Sequence, residues 1–243
     1  MRIPRVFIAQ PLHPRQPLEL SGDSAHYIGT VLRLKAGSTV ALFNGDDGEY
    51  LADLQEVSKK RALLLPTEAV DNRADPVLPI HIGIGLSRGD RMDIVIQKST
   101  ELGASRVTPL FTERCEVKLD DRRAAKRQAH WQKVAISATE QSGRCRVPVI
   151  DAPLPLNEWL RQPHDGCRLV LDPYAEARLT LPPGHDKSPV TLLSGPEGGL
   201  TEEEVRAAAG QGFTPMTLGP RILRTETAPL AAVSILQYLV GDF

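Results

Sequence analysis

The chain is poor in the residues that most often announce a specialised chemistry. Its three cysteines, Cys115, Cys145 and Cys167, are an odd set without Cys-x-x-Cys spacing, which argues against a disulfide framework and against a zinc site. The six histidines are scattered without a His-x-x-x-His pair, so no metal is expected. No apolar run approaches the ~20 residues of a membrane span. The start, Met1 to Phe7, lacks the apolar stretch of a signal peptide, and a cytoplasmic protein away from membranes is expected. Net charge is also nearly absent, at −1, but it is unevenly spread. Residues 73–150 carry +5, between −1 for 1–72 and −5 for 151–243. The middle of the chain is therefore where an anionic partner would bind. There Arg122, Arg123, Lys126, Arg127 and Lys133 fall at roughly helical spacing, with Arg114, Arg144 and Arg146 near the ends of the stretch. Such a row is either a solvated helix face or a set of phosphate contacts.

What is present is enough apolar residue, 41% of 243, to bury a core in one large domain or two smaller ones. The polar, proline-containing stretch Glu68 to Pro79 reads as a linker. It divides the chain into 1–72 and 73–243. Before it, β-like runs at Arg5 to Ala9, Thr39 to Phe43, Tyr50 to Val57 and Ala62 to Leu65, with Asn44-Gly-Asp-Asp-Gly48 as a hairpin turn, predict a small β-barrel. One amphipathic helix is predicted over Ser24 to Arg33. After the linker, strands alternate with helices, the pattern of an α/β domain with a largely parallel sheet. Strands are expected at Ile80 to Gly85, Val107 to Phe111, Arg168 to Leu171, Val190 to Leu193 and Met216 to Leu218. Helices are expected at Asp90 to Leu102, Asp121 to Ser142, Leu156 to Gln162, Thr201 to Ala209 and Pro229 to Val240.

Two glycine turns in that second part predict one small-ligand site. Ser194-Gly-Pro-Glu-Gly-Gly-Leu200 follows the apolar run Val190 to Leu193, and Leu218-Gly-Pro-Arg-Ile-Leu-Arg-Thr-Glu-Thr-Ala-Pro229 comes shortly after. Glycine lets backbone groups approach a ligand without Cβ interference. The first turn enters a helix through Thr201 and Glu204, at capping-box spacing. A rival site is Gly83, Gly85 and Gly89, which follow a strand, precede a helix and resemble a nucleotide-binding fingerprint, with Glu113 near the place of a ribose-binding acid. Their G-x-G-x-x-x-G spacing departs from that fingerprint.

Four ordered motifs carry a resemblance: Gln97 to Gly103, Ala138-Thr-Glu-Gln-Ser-Gly-Arg144, Leu193-Ser-Gly-Pro-Glu-Gly-Gly-Leu200 and Leu218 to Ala228. Together with His26 to Arg33 and Phe43 to Tyr50 they make nearly the whole chain similar to the RsmE family of bacterial ribosomal RNA methyltransferases. The resemblance implies a SPOUT-type α/β methyltransferase domain with a trefoil knot, preceded by a PUA-like RNA-binding β-barrel. It implies S-adenosylmethionine as cofactor, a homodimer, and methylation of N3 of one uridine in 16S rRNA of the assembled small ribosomal subunit. A non-catalytic RNA-binding assembly factor and a Rossmann-type nucleotide enzyme stand as alternatives.

On this reading the cofactor would be held by Leu193, Gly195, Pro196, Glu197, Gly198, Gly199, Leu218, Gly219, Ile222, Leu223, Arg224, Thr227 and Ala228. RNA contact is expected from Arg5, Arg33, Arg88, Arg114, Arg122, Arg123, Lys126, Arg127, Gln141 and Arg144. Uracil N3 is protonated at neutral pH and must lose that proton to become a nucleophile. Arg224 could stabilise the resulting imide anion, and Glu226 or Glu197 could take the proton. Glu197 could instead fix its own loop by accepting backbone N–H bonds, and Trp131 reads as core or dimer interface.

Overall fold

The computed structural model of the protein describes residues 3–243, so the first two residues of the start discussed above lie outside the described part. The chain forms two compact units, one made of residues up to Asp75 with Thr139–Val147, the other of Pro76–Ala138 with Pro148–Phe243.

In the first unit β1 (Arg5–Phe7), β2 (Leu18–Ser21), β3 (Thr39–Phe43), β4 (Glu49–Val57) and β5 (Arg61–Val70) build one sheet in the order β1-β3-β4-β5-β2. Strands β1 and β3 run parallel and the other pairs antiparallel. Alternate residues, among them Val40, Leu42, Ala52, Leu54, Ala62 and Leu64, point into a single core. The sheet edges β1 and β2 do not pair, so the expected barrel is an open one. The β3–β4 hairpin closes through Asn44, whose Oδ1 accepts from the N–H of Asp46 at 3.1 Å and of Asp47 at 2.9 Å.

The helix predicted over Ser24 to Arg33 forms differently. A short α1 (Gly22–His26) passes into a π-helical turn, Tyr27–Val31. Here the chain winds against the β4–β5 turn, where a Cβ on Gly29 would lie 3.0 Å from Val57 Cγ2 and 3.1 Å from the Ser58 carbonyl. Strand β2 goes beyond the expected elements, being four residues long and preceded by Pro11, Pro14 and Pro17.

The segment 139–147 packs in this unit around Arg5. The Arg5 guanidinium pairs with Glu49 at 2.8 Å, donates to the carbonyls of Thr139, Glu140 and Arg144, and lies 4.5 Å from the centre of the Phe43 ring. Burial raises the Glu49 carboxyl, but Arg5 and Asn72 outweigh it and hold it below the ordinary value.

The second unit consists of β6 (Ile80–Gly85), α2 (Arg91–Glu101), β7 (Arg106–Phe111), α3 (Asp121–Ser142, its last turn counting with the first unit), β8 (Val149–Ile150), β9 (Leu154–Pro155), α4 (Leu156–Leu160), β10 (Cys167–Leu171), β11 (Val190–Ser194), α5 (Glu202–Gly210), β12 (Thr214–Met216) and α6 (Thr227–Val240). Its sheet is parallel, in the order β12-β10-β11-β6-β7-β8, with β9 also pairing β7. Strands covered on both faces read as near-continuous apolar runs, as Val190 to Leu193 does. The last strand lies at Thr214–Met216 rather than Met216 to Leu218, because Thr214 to Met216 pair with Leu169 to Leu171 at the sheet edge, where Pro215 is tolerated. Helix α6 packs against α2 and β11. Residues 217–226 therefore travel from the sheet edge back across the ends of β10 and β11.

Candidate functional site

That crossing segment closes a cavity of about 510 Å³ at the carboxyl ends of the parallel strands. Such ends are where open α/β sheets bind ligands. Three strand-end segments wall it: Leu171 to Tyr174 after β10, Ser194 to Leu200 after β11, and Thr217 to Ala228 after β12.

The two glycine turns predicted to meet do meet, joined by Thr225, whose hydroxyl donates to the Gly195 carbonyl at 3.0 Å. Ser87, in the loop after β6, lies 3.1 Å from the same hydroxyl, so three segments distant in sequence share one buried hydroxyl pair. The first turn is shaped by its glycines. A Cβ on Gly195 would lie 2.8 Å from the Leu200 nitrogen, one on Gly198 would lie 2.9 Å from Arg114 Cβ, and Gly199 has φ +70. The turn hands over to α5 through the capping box, with the Thr201 hydroxyl accepting from Glu204 N–H and the Glu204 carboxylate accepting from Thr201 N–H.

Of the residues expected to hold a cofactor, Gly195, Pro196, Glu197, Gly198, Gly199, Leu218, Ile222, Leu223, Arg224 and Ala228 line the cavity. Leu193, Gly219 and Thr227 do not. Leu193 packs its side chain into the core beneath, Gly219 makes a turn at φ +108, and Thr227 is exposed at the first position of α6. Both catalytic candidates, Arg224 and Glu226, are on the cavity wall. Glu197 Oε1 accepts from Arg88 N–H at 2.8 Å and from Arg91 Nη1 at 2.7 Å. Its partial burial raises the carboxyl, but these hydrogen bonds prevail and hold it below the ordinary carboxylate value. Glu226 differs: its Oε2 is buried and has no hydrogen-bond partner among the described residues.

The wall also holds residues that pattern reading missed, above all Arg91, Asp172, Tyr174 and Arg221. Asp172 could have been found as the polar residue ending an apolar strand. Its Oδ1 accepts from Tyr174 N–H at 3.0 Å, which turns the loop, and leaves Tyr174 83% exposed at the cavity mouth. Arg91 follows directly on the rival glycine site. The structure explains those glycines by packing: a Cβ on Gly83 would meet the Trp159 ring at 2.5 Å, one on Gly85 would meet Pro196 at 2.5 Å, and Gly89 turns at φ +62.

The expected RNA contacts separate into two groups. Arg33, Arg88, Arg122, Arg123, Lys126, Arg127 and Gln141 are exposed. Arg144 is buried and Arg5 largely so in the first unit, whereas Arg114 is exposed but committed to the first glycine turn, donating to the carbonyls of Gly198 and Leu200. Trp131 is core, its Nε1 donating to Asp93 at 3.1 Å.

Among the described residues no cluster of metal-ligating side chains occurs, and no helix is long and apolar enough to cross a membrane. Fold and site together define an α/β protein with a cavity for a small organic ligand between glycine turns, in a chain that also carries a small β unit.

Comparison with known proteins gives that class its family. Residues 73–237 match the family described as RNA methyltransferase domain, and residues 20–67 that described as RNA methyltransferase PUA domain. A ribosomal RNA small subunit methyltransferase E of Buchnera aphidicola is 35% identical, over 99% of this chain and 98% of its own. One of Bacillus subtilis is 34% identical over 94% and 93%. Two solved structures cover 100% of both chains: a Legionella pneumophila methyltransferase in complex with bound SAM, 39% identical with TM-score 0.91, and a Neisseria gonorrhoeae ribosomal RNA small subunit methyltransferase E bound to S-adenosyl methionine, 38% identical with TM-score 0.90. The chain belongs to the RsmE family of RNA methyltransferases.

Proposed function

We propose that the protein transfers a methyl group from S-adenosylmethionine to N3 of a uridine in 16S rRNA within the assembled small ribosomal subunit. The observation that carries this reading is the cavity between the two glycine turns, in a chain whose relatives hold that cofactor and match it over their full length. The volume suits a ligand of this size, and the wall offers what the cofactor needs. It has close-approach backbone at Gly195 to Gly199, apolar faces at Leu218, Ile222 and Leu223 for a purine, and carboxylates at Asp172, Glu197 and Glu226 toward a cation. The bound cofactor supplies an electrophilic methyl group on a sulfonium.

The rest is the work of this chain. Arg224 is exposed on the wall and its guanidinium has no partner among the described residues, so it is free to sit beside the uracil oxygens as charge develops. Glu226 takes the N3 proton. Holding nucleophile and electrophile together in one cavity removes much of the entropic cost of their encounter. On this proposal the part of the chain up to residue 72, packed with segment 139–147, is the RNA-binding barrel, and the rest of 73–243 is the methyltransferase domain, with the crossing of 217–226 threaded as the trefoil knot. The exposed apolar side chains of Ile94 on α2 and of Ile235, Tyr238 and Leu239 on α6 support a homodimer.

The direct test is mass-spectrometric mapping of 16S rRNA from cells lacking the protein. A missing 3-methyluridine, restored by the wild-type chain, is expected; an unchanged modification pattern would overturn the proposal. Calorimetry with S-adenosylmethionine tests the cavity separately. Gly198→Val pushes on Arg114, which itself holds the Gly198 carbonyl at 3.0 Å, and is expected to weaken cofactor binding by about 10-fold or more. Gly85→Val presses on Pro196 of the same turn and is expected to act alike, so its loss of affinity does not point to a nucleotide site at Gly85.

RNA affinity is expected to depend on the exposed basic row at the start of α3. Lys126→Glu with Arg127→Glu should weaken binding and reduce the slope of log affinity against log salt by about 2, near 1 for each phosphate that is no longer neutralised. An unchanged slope in filter-binding titrations would remove this row from the interface.

A further inference from the structure

We propose that Arg91 is the positioning residue of this site, its single guanidinium holding the carboxylates of Glu197 and Glu226 in a fixed relation across the cavity. The inference rests on the reading of Glu226 as the group that takes the N3 proton. Arg91 opens α2 and lines the cavity with its side chain 35% exposed. Its Nη1 donates to Glu197 Oε1 at 2.7 Å, while its Nε lies 3.7 Å from Glu226 Oε2.

The two distances mean different things. The first is a hydrogen bond, and it uses up a lone pair of Glu197, which Arg88 N–H also engages. The second is too long for a hydrogen bond but close enough for strong attraction between charges. Glu226 is thus drawn to one place while Oε2 keeps its lone pairs for an incoming proton, which is the condition a base needs. Two carboxylates on one small wall would otherwise repel, and the charge between them removes that repulsion.

Arginine suits the place because its planar fork presents separate N–H groups to the two sides, whereas an ammonium offers one compact charge. The first turn of α2 is itself well anchored. Met92, Val95 and Ile96 are buried behind it, and Ser87 in the preceding loop lies against the Thr225 hydroxyl, one residue from Glu226. The two glycine turns are therefore coupled through a loop that touches both.

The test compares Arg91→Gln, Arg91→Lys, Glu226→Gln and the double variant Arg91→Gln/Glu226→Gln, using small-subunit methyl transfer, calorimetric titration with S-adenosylmethionine and thermal unfolding. Arg91→Gln is expected to lower kcat by about 10- to 100-fold while KM for the subunit and the calorimetric Kd stay within about 3-fold. Arg91→Lys is expected to recover part of the loss. The double variant should be no slower than Glu226→Gln alone, because Arg91 acts through Glu226. Melting temperatures close to wild type are expected throughout.

Additive losses in the double variant, a loss confined to KM with a changed salt slope, or a fall in cofactor affinity that matches the fall in kcat would each overturn the proposal. Full activity in Glu226→Gln would overturn the base assignment and Arg91's role with it. An inactive Glu226→Gln beside an Arg91→Gln of wild-type kcat would overturn Arg91's role alone.

Discussion

Replacing Glu226 by Gln is expected to lower the rate of methyl transfer by about 10²- to 10⁴-fold while cofactor affinity changes little, the range found when a positioned acid or base is lost. The expectation comes from comparing two carboxylates on one wall. Glu197 is occupied: backbone and guanidinium donors hold its Oε1, and its carboxyl sits below the ordinary range, so it is a poor proton acceptor at neutral pH. Its work is to bind the first glycine turn to the loop after β6. Glu226, at the N-terminal cap of α6, has a buried oxygen that no donor satisfies among the described residues. A buried acceptor left without a partner is costly, and in a cavity wall it marks a place completed by something outside the chain. On the proposed function that is the N–H of the uracil. Gln is nearly isosteric and keeps an acceptor, so it separates proton removal from shape. Single-turnover transfer of labelled methyl to purified small subunits measures the rate. A Glu226→Gln variant as fast as wild type would remove Glu226 from the chemistry, and Glu197→Gln, which keeps the acceptor for Arg88 N–H and Arg91 and is expected to retain most of the rate, is the natural companion.

The parts of this site that were legible in the amino-acid order are the parts that backbone geometry demands. Gly195 and Gly198 close on Leu200 and Arg114 with no room for side chains, Gly199 turns at φ +70, and that need is written locally as Ser194 to Leu200. Thr201 and Glu204 are likewise a local device, and α5 begins where they place it. The parallel order could be anticipated as a class because strands buried on both faces read as near-continuous apolar runs, as Val190 to Leu193 does with only Thr191 polar.

What escaped is what depends on the approach of distant segments. Arg91 stands next to a rival glycine site, and nothing around it in the chain announces that Glu197 and Glu226 arrive on either side. Arg5 and Arg144 read as RNA ligands, because a buried arginine and an exposed one are written alike; only the approach of segment 139–147 to Glu49, Asn72 and Asp75 internalises them. Strand β2 was hidden for the opposite reason. Leu18 to Ser21 has too few residues to show a period, and its pairing with Arg61 to Leu64 of β5 is what makes it a strand.

Acidification from pH 7.5 to pH 5 is expected to cost the second unit about 2 kcal/mol of stability through His81 alone. Burial, reinforced by the Arg106 guanidinium, pushes the His81 imidazole from 6.5 down to about 4, against the weaker upward pull of Asp151. The sign follows from proton counting. Between pH 6.5 and 4 the unfolded chain protonates this histidine and the folded chain does not, so stability is complete above 6.5, falls as pH drops through that window, and levels off below 4. The full effect, about 3.4 kcal/mol, is 2.5 pH units at about 1.36 kcal/mol each.

The geometry explains why the neutral form is held. Thr108 donates its one hydroxyl proton to Asp151, so it can only accept from His81 Nε2, which lies 2.7 Å away and must carry the hydrogen. A second proton would go to Nδ1, on a ring whose neighbours include the Trp159 indole at 5.5 Å and the His164 imidazole at 6.0 Å. His164, itself lowered by burial, adds to the loss in the same direction. Urea unfolding followed by tryptophan fluorescence at pH 7.5, 6 and 5 measures the slope in a window where ordinary carboxylates remain ionised. His81→Gln keeps a donor toward Thr108 and cannot gain a charge, so it should flatten the profile by the His81 share and leave the part due to His164. Equal stability at pH 7.5 and 5 in the wild-type protein, or an undiminished fall in His81→Gln, would show that this imidazole is not the group that acid attacks.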